Sequence, residues 1–216
     1  MEQKILQHLS DYLVKEDNQD IFTCTVESKN IIHVMSTLKY NKDLLFKQLT
    51  DICAVDYMQY GQAEWTTTDA TSTGYSRGVK SQSHGRIKFS NDIEDERMTN
   101  RFCIVYHLLS ISNNFRIRIK THIKSDIPSI PSITSIWDAA DWYEREAYDL
   151  FGISFDGHPD LRRILTDYGF IGHPFRKDFP LIGNTQVRYD PESKKIIYEP
   201  VDIEPRVLVP KVIREK

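Results

Sequence analysis

The sequence predicts an α/β (α+β) fold: a small mixed sheet with flanking helices, followed by a long extended C-terminal arm. Three observations predict it. Apolar residues recur at helical spacing near the N-terminus (Ile5, Leu6, Leu9, Tyr12, Leu13), and two β-rich runs meet across Ser112-Asn113-Asn114. Beyond Phe179 the chain is spaced by Pro180, Pro191, Pro200, Pro205 and Pro210, which oppose helix formation. At 216 residues there is enough chain to bury one real core and carry an appendage.

Taken in order, the N-terminal stripe predicts an amphipathic helix, and the apolar runs Ile21 to Val26 and Ile31 to Met35 predict strands. Asn41 is suited to cap a second helix running to about Val55, with Leu44, Leu45, Gln48, Leu49 and Ile52 on its inner face. Residues 59–86 are dominated by Thr, Ser, Gly and Gln, too polar to bury themselves, and read as a flexible insertion. Arg101 to Ile111 and Phe115 to Ile123 predict paired strands. After the loop marked by Pro128 and Pro131, Ser135 and Asp138 have capping-box spacing, so a helix is expected from Trp137 to Phe151, stopped by Gly152. The expected organisation is an α/β domain over 1–152, a loop region over 153–180 and an extended arm over 181–216.

Composition excludes several classes. Twenty-eight Lys plus Arg against 31 Asp plus Glu give a net charge of -3, without the basic excess that phosphate-backbone binding requires. The most apolar stretch, Phe102 to Ile111, is about half the roughly 20 residues that span a bilayer and is interrupted by His107 and Ser110. The first twenty residues carry Glu2, Asp11, Glu16, Asp17 and Asp20 and no Arg, unlike a transit peptide, and lack the apolar run of a signal peptide. Cys24, Cys53 and Cys103 are isolated, and are expected to be buried thiols of a reducing compartment.

A redox enzyme must hold its cofactor, yet there is no CxxC for an iron–sulfur cluster and no GxGxxG after a strand for a dinucleotide. Gly157-His158-Pro159 and Gly172-His173-Pro174, with Asp156, Asp160 and Asp178 nearby, admit a metal site, but the favoured reading is two turns whose imidazoles satisfy backbone groups. On the helix expected from Trp137, aromatic residues occupy several faces, so burial on more than one side is expected. Asp141 and Asp149 each lie four residues from Arg145, which allows an ion-pair ladder, and Glu144 falls on an aromatic face where a carboxylate needs a partner. Glu144 and Glu146 point about 200° apart around a helix, which favours structural ion pairs over an acid/base couple. Arg162-Arg163 and Arg176-Lys177 suit inter-subunit salt bridges.

The run Glu144-Arg145-Glu146-Ala147-Tyr148-Asp149-Leu150-Phe151, then His158, Arg162, Arg163, Ile164 and Leu165, resembles the signature of the C-type subunit of respiratory complex I. Gly172-His173-Pro174-Phe175-Arg176-Lys177-Asp178-Phe179-Pro180 continues the likeness, which is strong from Trp137 to Pro180. The resemblance implies a peripheral-arm core subunit of NADH:quinone oxidoreductase, where NADH-to-quinone electron transfer is coupled to proton translocation. It implies a structural and assembly role, an arm wrapping the D-type subunit near the quinone site, and further partners of the B, I, E, F and G types. No cofactor is expected in this chain, with FMN and iron–sulfur clusters in partner subunits, and no activity for the chain alone. Glu144, Arg145, Glu146, Asp149, His158, Arg162, Arg163, His173, Arg176, Lys177 and Asp178 are the positions implied to organise the fold and the partner contact. The implied location is the cytoplasmic side of a bacterial inner membrane, or an organelle-encoded equivalent. The equivalent subunit of a membrane-bound hydrogenase or ferredoxin-linked complex shares the motif and stays open, as does an independent hydrolase built on His158 or His173.

Overall fold

The computed structural model describes residues 1–17, 21–58, 100–123, 127–180 and 182–203. It divides into two compact units, Met1–Lys177 and Asp178–Lys216. The polar stretch 59–86 lies outside the described residues.

In the first unit, helix α1 (Glu2–Leu9) buries Ile5 and Leu9, then a single 3-10 turn, Ser10–Tyr12, turns the chain into strand β1 (Leu13–Asp17). Strand β2 (Thr23–Val26) pairs antiparallel with β1. Helix α2 spans Ile31–Tyr40, where the run Ile31 to Met35 had predicted a strand. Its buried residues, Ile31, Val34, Met35 and Leu38, follow the i, i+3, i+4, i+7 helical period, and the five-residue apolar window hid that period by stopping before Leu38.

The expected helix from Asn41 to Val55 is also absent. Asn41 sits at the C-terminal end of α2, with its side-chain oxygen accepting the Asp43 N–H at 2.8 Å, and the following residues form strand β3 (Gln48–Asp56). A register shift between Leu49 and Asp51 lets Leu49 and Ile52 both bury, so a bulged strand produced the i, i+3 spacing of a helix. Strands β4 (Phe102–Ser110) and β5 (Phe115–Ile123) form the predicted hairpin. Its turn places Asn114 at φ +47°, a conformation Asn tolerates better than most residues, and Asn113 Nδ2 donates to the Leu44 carbonyl at 2.9 Å.

The strand order is β1-β2-β5-β4-β3, with β2 parallel to β5 and the other pairs antiparallel, so the sheet is mixed as predicted. One face carries the core: Ile52, Ile104, Tyr106, Leu108, Ile117 and Ile119 pack with buried residues of the helices. A short parallel pair, β6 (Ser129–Pro131) and β7 (Ser154–Asp156), brackets helix α3 (Ala140–Phe151). That helix begins three residues later than expected, with no side-chain N-cap. Trp137 lies in the turns that precede it, its backbone N–H donating to the Ile133 carbonyl and its indole Nε1 to the Lys47 carbonyl, and the N-cap position is taken by Ala139, so Ser135 and Asp138 do not cap the helix.

In the second unit, β8 (Thr185–Asp190) and β9 (Lys195–Pro200) pair as an antiparallel hairpin. Between Thr185 and Pro200 the chain is extended but folds back on itself, and the part of the expected arm over 204–216 lies outside the described residues.

Candidate functional site

Helix α3 and the loop that follows it gather nearly all the residues singled out from sequence. The helix is buried on several sides, but its buried polar positions are Glu144, Arg145 and Asp149, while Trp142 is 62% exposed and lies over the Arg145 guanidinium. Charged side chains buried this deeply persist only when hydrogen-bonded. Each therefore defines a piece of the loop.

Glu144 is fully buried. Its carboxylate accepts the Ser132 hydroxyl at 2.6 Å and the Ile133 backbone N–H at 2.8 Å, which fixes the chain just after β6 against the helix. Burial pushes its pKa up to about 7, with the Asp141 carboxylate adding to the rise and the two hydrogen bonds opposing it. Glu146 is exposed, so the two glutamates do not form a couple.

His158 has no exposed side-chain surface. Its Nδ1 accepts the Asp160 backbone N–H at 3.0 Å, which sets the tautomer carrying hydrogen on Nε2. That nitrogen stands 3.2 Å from Asp141 Oδ1, 3.3 Å from the Asp141 carbonyl oxygen and 4.0 Å from Glu144. Arg145 donates to Asp141 at 2.8 Å and reaches Asp160 at 3.5 Å. The expected ladder is thus half formed: Arg145 pairs with Asp141 but not with Asp149.

Asp149 faces the loop instead. One of its oxygens accepts the backbone N–H groups of Ile164, Leu165 and Thr166 at 3.0, 2.7 and 2.9 Å, and the other accepts the Thr166 hydroxyl. Burial alone would raise its pKa, but these donors hold it below the usual carboxylate range. Arg163 lies 3.9 Å from it and donates to Thr166 Oγ1 and to the Phe170 carbonyl, both at 3.2 Å.

The Gly-His-Pro-Phe-Arg segment closes the C-terminal end of α3, where four carbonyls of any helix lack partners. Gly152, at φ +71°, donates its N–H to Tyr148 O at 2.8 Å. His173 Nδ1 donates to Asp149 O at 2.9 Å, the Phe175 N–H to Leu150 O at 3.0 Å, and Arg176 Nε to Phe151 O at 2.6 Å. All four carbonyls are satisfied, and Arg176 adds a cation at the negative end of the helix. Burial lowers the pKa of His173. The favoured reading of the two Gly-His-Pro turns holds at both, since each ring serves backbone groups at a different end of α3.

Further along, the Lys177 N–H donates to Asp56 at 2.9 Å, and Arg101 grips the same carboxylate with Nε at 3.0 Å and Nη2 at 2.8 Å. Burial would raise the pKa of Asp56, and the Arg101 and backbone donors hold it low. Sequence reading missed Asp56, Ser132 and Thr166. Asp56 was findable as a carboxylate two and four residues from Ala54 and Ile52, on the core-facing phase of a strand. Arg162 is exposed and pairs with Asp160 at 3.1 Å, whereas Lys177 and Asp178 have exposed side chains. Leu150 is buried, Phe151 packs edge-on against Phe175, Ile164 is half-buried and Leu165 is 62% exposed. With Leu165, Tyr168, Ile171 and Phe175 also face outward. Among the described residues no group of three or more His, Cys, Asp or Glu is arranged to hold a metal ion. None of the three cysteines forms a disulfide; Cys24 and Cys103 are buried as expected, whereas Cys53, on the outer phase of β3, is half-buried.

Comparison with known proteins matches this region and most of the chain. Over 198 residues the chain is 52% identical to the C-type subunit of the NADH-quinone oxidoreductase of Halorhodospira halophila, covering 89% of this chain and 80% of that relative. It is 51% identical over 195 residues to the corresponding subunit from Coxiella burnetii, covering 90% and 83%, and 50% identical over 192 residues to that of Legionella pneumophila, covering 89% and 81%. A chain from the solved membrane-bound sulfane sulfur reductase, an archaeal respiratory membrane complex, shares the fold at a TM-score of 0.56 and 22% identity, over 83% of this chain and 84% of that one. Residues 24–185 match the family described as the respiratory-chain NADH dehydrogenase 30 Kd subunit, and the chain belongs to that family.

Proposed function

We propose that this chain is a structural and assembly subunit of the peripheral arm of an NADH:quinone oxidoreductase, which holds a D-type subunit near the quinone site and carries no redox centre itself. The observation that carries the reading is the use made of the signature residues. Glu144, Asp149, His158, His173 and Arg176 spend their hydrogen bonds on fixing loop backbone to α3, so they are tied up inside the chain. The loop they shape turns Leu165, Tyr168, Ile171 and Phe175 outward, between 55% and 101% exposed. A rigid loop bearing an exposed apolar cluster suits a protein interface better than a catalytic cleft.

Electron transfer and proton translocation would then belong to the assembled complex, with FMN and iron–sulfur clusters held by partners of the B, I, E, F and G types. No helix among the described residues is long and apolar enough to cross a membrane, which fits attachment to the cytoplasmic side of the inner membrane through those partners. Identity of 50–52% to subunits named for NADH-quinone oxidoreductase favours the respiratory complex over a hydrogenase-type one.

A gentle-detergent pull-down of the tagged chain from native membranes tests the reading. Recovery of NADH:quinone activity together with a D-type subunit is expected, and Tyr168→Asp with Ile171→Asp should deplete that subunit. An active complex whose composition is unchanged by both substitutions would remove the loop from the interface. Arg176 is a poor probe for this purpose, because its guanidinium is committed to the Phe151 carbonyl.

A further inference from the structure

Strand β5 is the middle strand of the sheet, and its residues alternate strictly. Phe115, Ile117, Ile119, Thr121 and Ile123 take the core phase, while Arg116, Arg118, Lys120 and His122 take the opposite one. The residues directly across from this second set are Leu109, His107, Val105 and Cys103 on β4, and Thr23 and Thr25 on β2. A like-charged column on a central strand is ordinarily relieved by carboxylates opposite it, and none is in register here. Among the described residues, Arg116, Arg118 and Lys120 make no ion pair, and the one carboxylate in register on β3 is Asp51, across from His107. Arg116 is exposed and the other members of the column are half-buried. The face opposite the core is therefore a cationic column on the floor made by Val105, Leu109 and the two threonines.

We infer that this sheet face is a docking surface for an acidic helix supplied by another polypeptide of the assembly. The inference rests on the reading of the chain as a subunit of a larger complex. Alternate residues of a strand stand about 6.6–6.8 Å apart, and carboxylates at i, i+4 on a helix are about 6 Å apart along its axis, so one acidic stripe can meet Arg116, Arg118 and Lys120 in turn. A helix laid on this side of the sheet completes a layered α/β architecture, and its apolar edge would cover the half-buried Leu109, Val105 being already buried beneath the column. Charge matching of this kind sets partner choice and orientation. A nucleic-acid occupant is disfavoured by the net charge of -3 and by the single-column shape of the basic patch.

The test places a photo-reactive benzoylphenylalanine at position 116 or 120 of the full chain, within the complex recovered from native membranes. Irradiation is expected to join it to a helix of another subunit with Asp or Glu at four-residue spacing. Combined R116E, R118E and K120E should lower recovery of that subunit roughly five- to ten-fold, with the three Gln variants intermediate. Adducts to lipid, to nucleic acid or within the chain itself would overturn the inference. So would the absence of any adduct at both positions in an intact, active complex, an outcome that leaves the functional reading standing. Capture of an acidic helix in an eluate without NADH:quinone activity would do the reverse.

Discussion

His173 closes the C-terminal end of helix α3 by donating from Nδ1 to the carbonyl of Asp149 at 2.9 Å, while the carboxylate of the same Asp149 holds the loop at Ile164 to Thr166. One residue thus binds both halves of the signature, through its main chain on one side and its side chain on the other. The helix end and the loop should lose order together when either link is cut.

Asp149→Asn tests the side-chain link. The amide keeps one acceptor oxygen but loses the charge and half the acceptor capacity that three N–H groups and a hydroxyl require. A loss of about 3 kcal/mol is expected, with amide exchange at Leu165 and Thr166 rising well before that of β4. Uniform exchange across the chain would show that the loop has no separate dependence on Asp149.

Gly152→Ala tests the packing of the cap. A Cβ at position 152 would lie 2.5 Å from His173 Nε2 and 2.8 Å from an Arg176 nitrogen, and the residue sits at φ +71°. The left-handed backbone alone costs a non-glycine residue about 1–2 kcal/mol. The collision should take the loss beyond that, measured as a fall in Tm. Combining it with His173→Ala should cost less than the sum of the two single changes, since both disturb the same contact.

Glu144 gives a pH prediction with a definite sign. Its folded value of about 7 lies above its ordinary 4.5, so the folded chain holds this proton more tightly than the unfolded chain. Its contribution is fully favourable below about pH 4.5 and is lost as pH rises towards 7, a change of roughly 3 kcal/mol. Glu144→Gln should flatten that slope, raising stability at pH 8 relative to wild type but not at pH 5. Asp56 and Asp149 have the opposite sign, and their contributions disappear at the acid end as each is protonated. Parallel pH profiles of denaturant midpoints for wild type and Gln variant would refute the assignment.

Asp56→Ala removes the acceptor shared by Arg101 and the Lys177 N–H. Breaking a buried pair by deleting one partner costs about 3–5 kcal/mol. Beyond global destabilisation, trypsin should cut after Arg176 and Lys177 at least ten-fold faster than in wild type. Unchanged cleavage at these two sites would mean that the segment is anchored by the helix cap alone.

Much of the architecture was legible because the chain's periodicities are local. The β4–β5 hairpin follows from a continuous apolar run and a strictly alternating one on either side of an Asn pair, and the end of α3 follows from Gly152. The errors arose where a period was cut short or broken. Leu38 completes a helical stripe that five β-branched and long residues concealed, and the irregularity between Leu49 and Asp51 gave a strand the spacing of a helix. The parallel pairing of β2 with β5 could not be read locally, because a crossover leaves no short-range signal.

By itself the sequence determined which residues matter: a run of charged positions on one helix and two Gly-His-Pro turns, too specific to be a general solvated surface. Only the tertiary structure decided what they do. Arg145 had two carboxylates within helical reach, and nothing in their spacing could choose between them. The choice was made from outside the helix, where loop backbone donors between Ile164 and Thr166 claim Asp149 and leave Asp141 to Arg145 and His158. A buried carboxylate takes whichever donors the fold brings to it, and those donors lie up to 17 residues away in the chain.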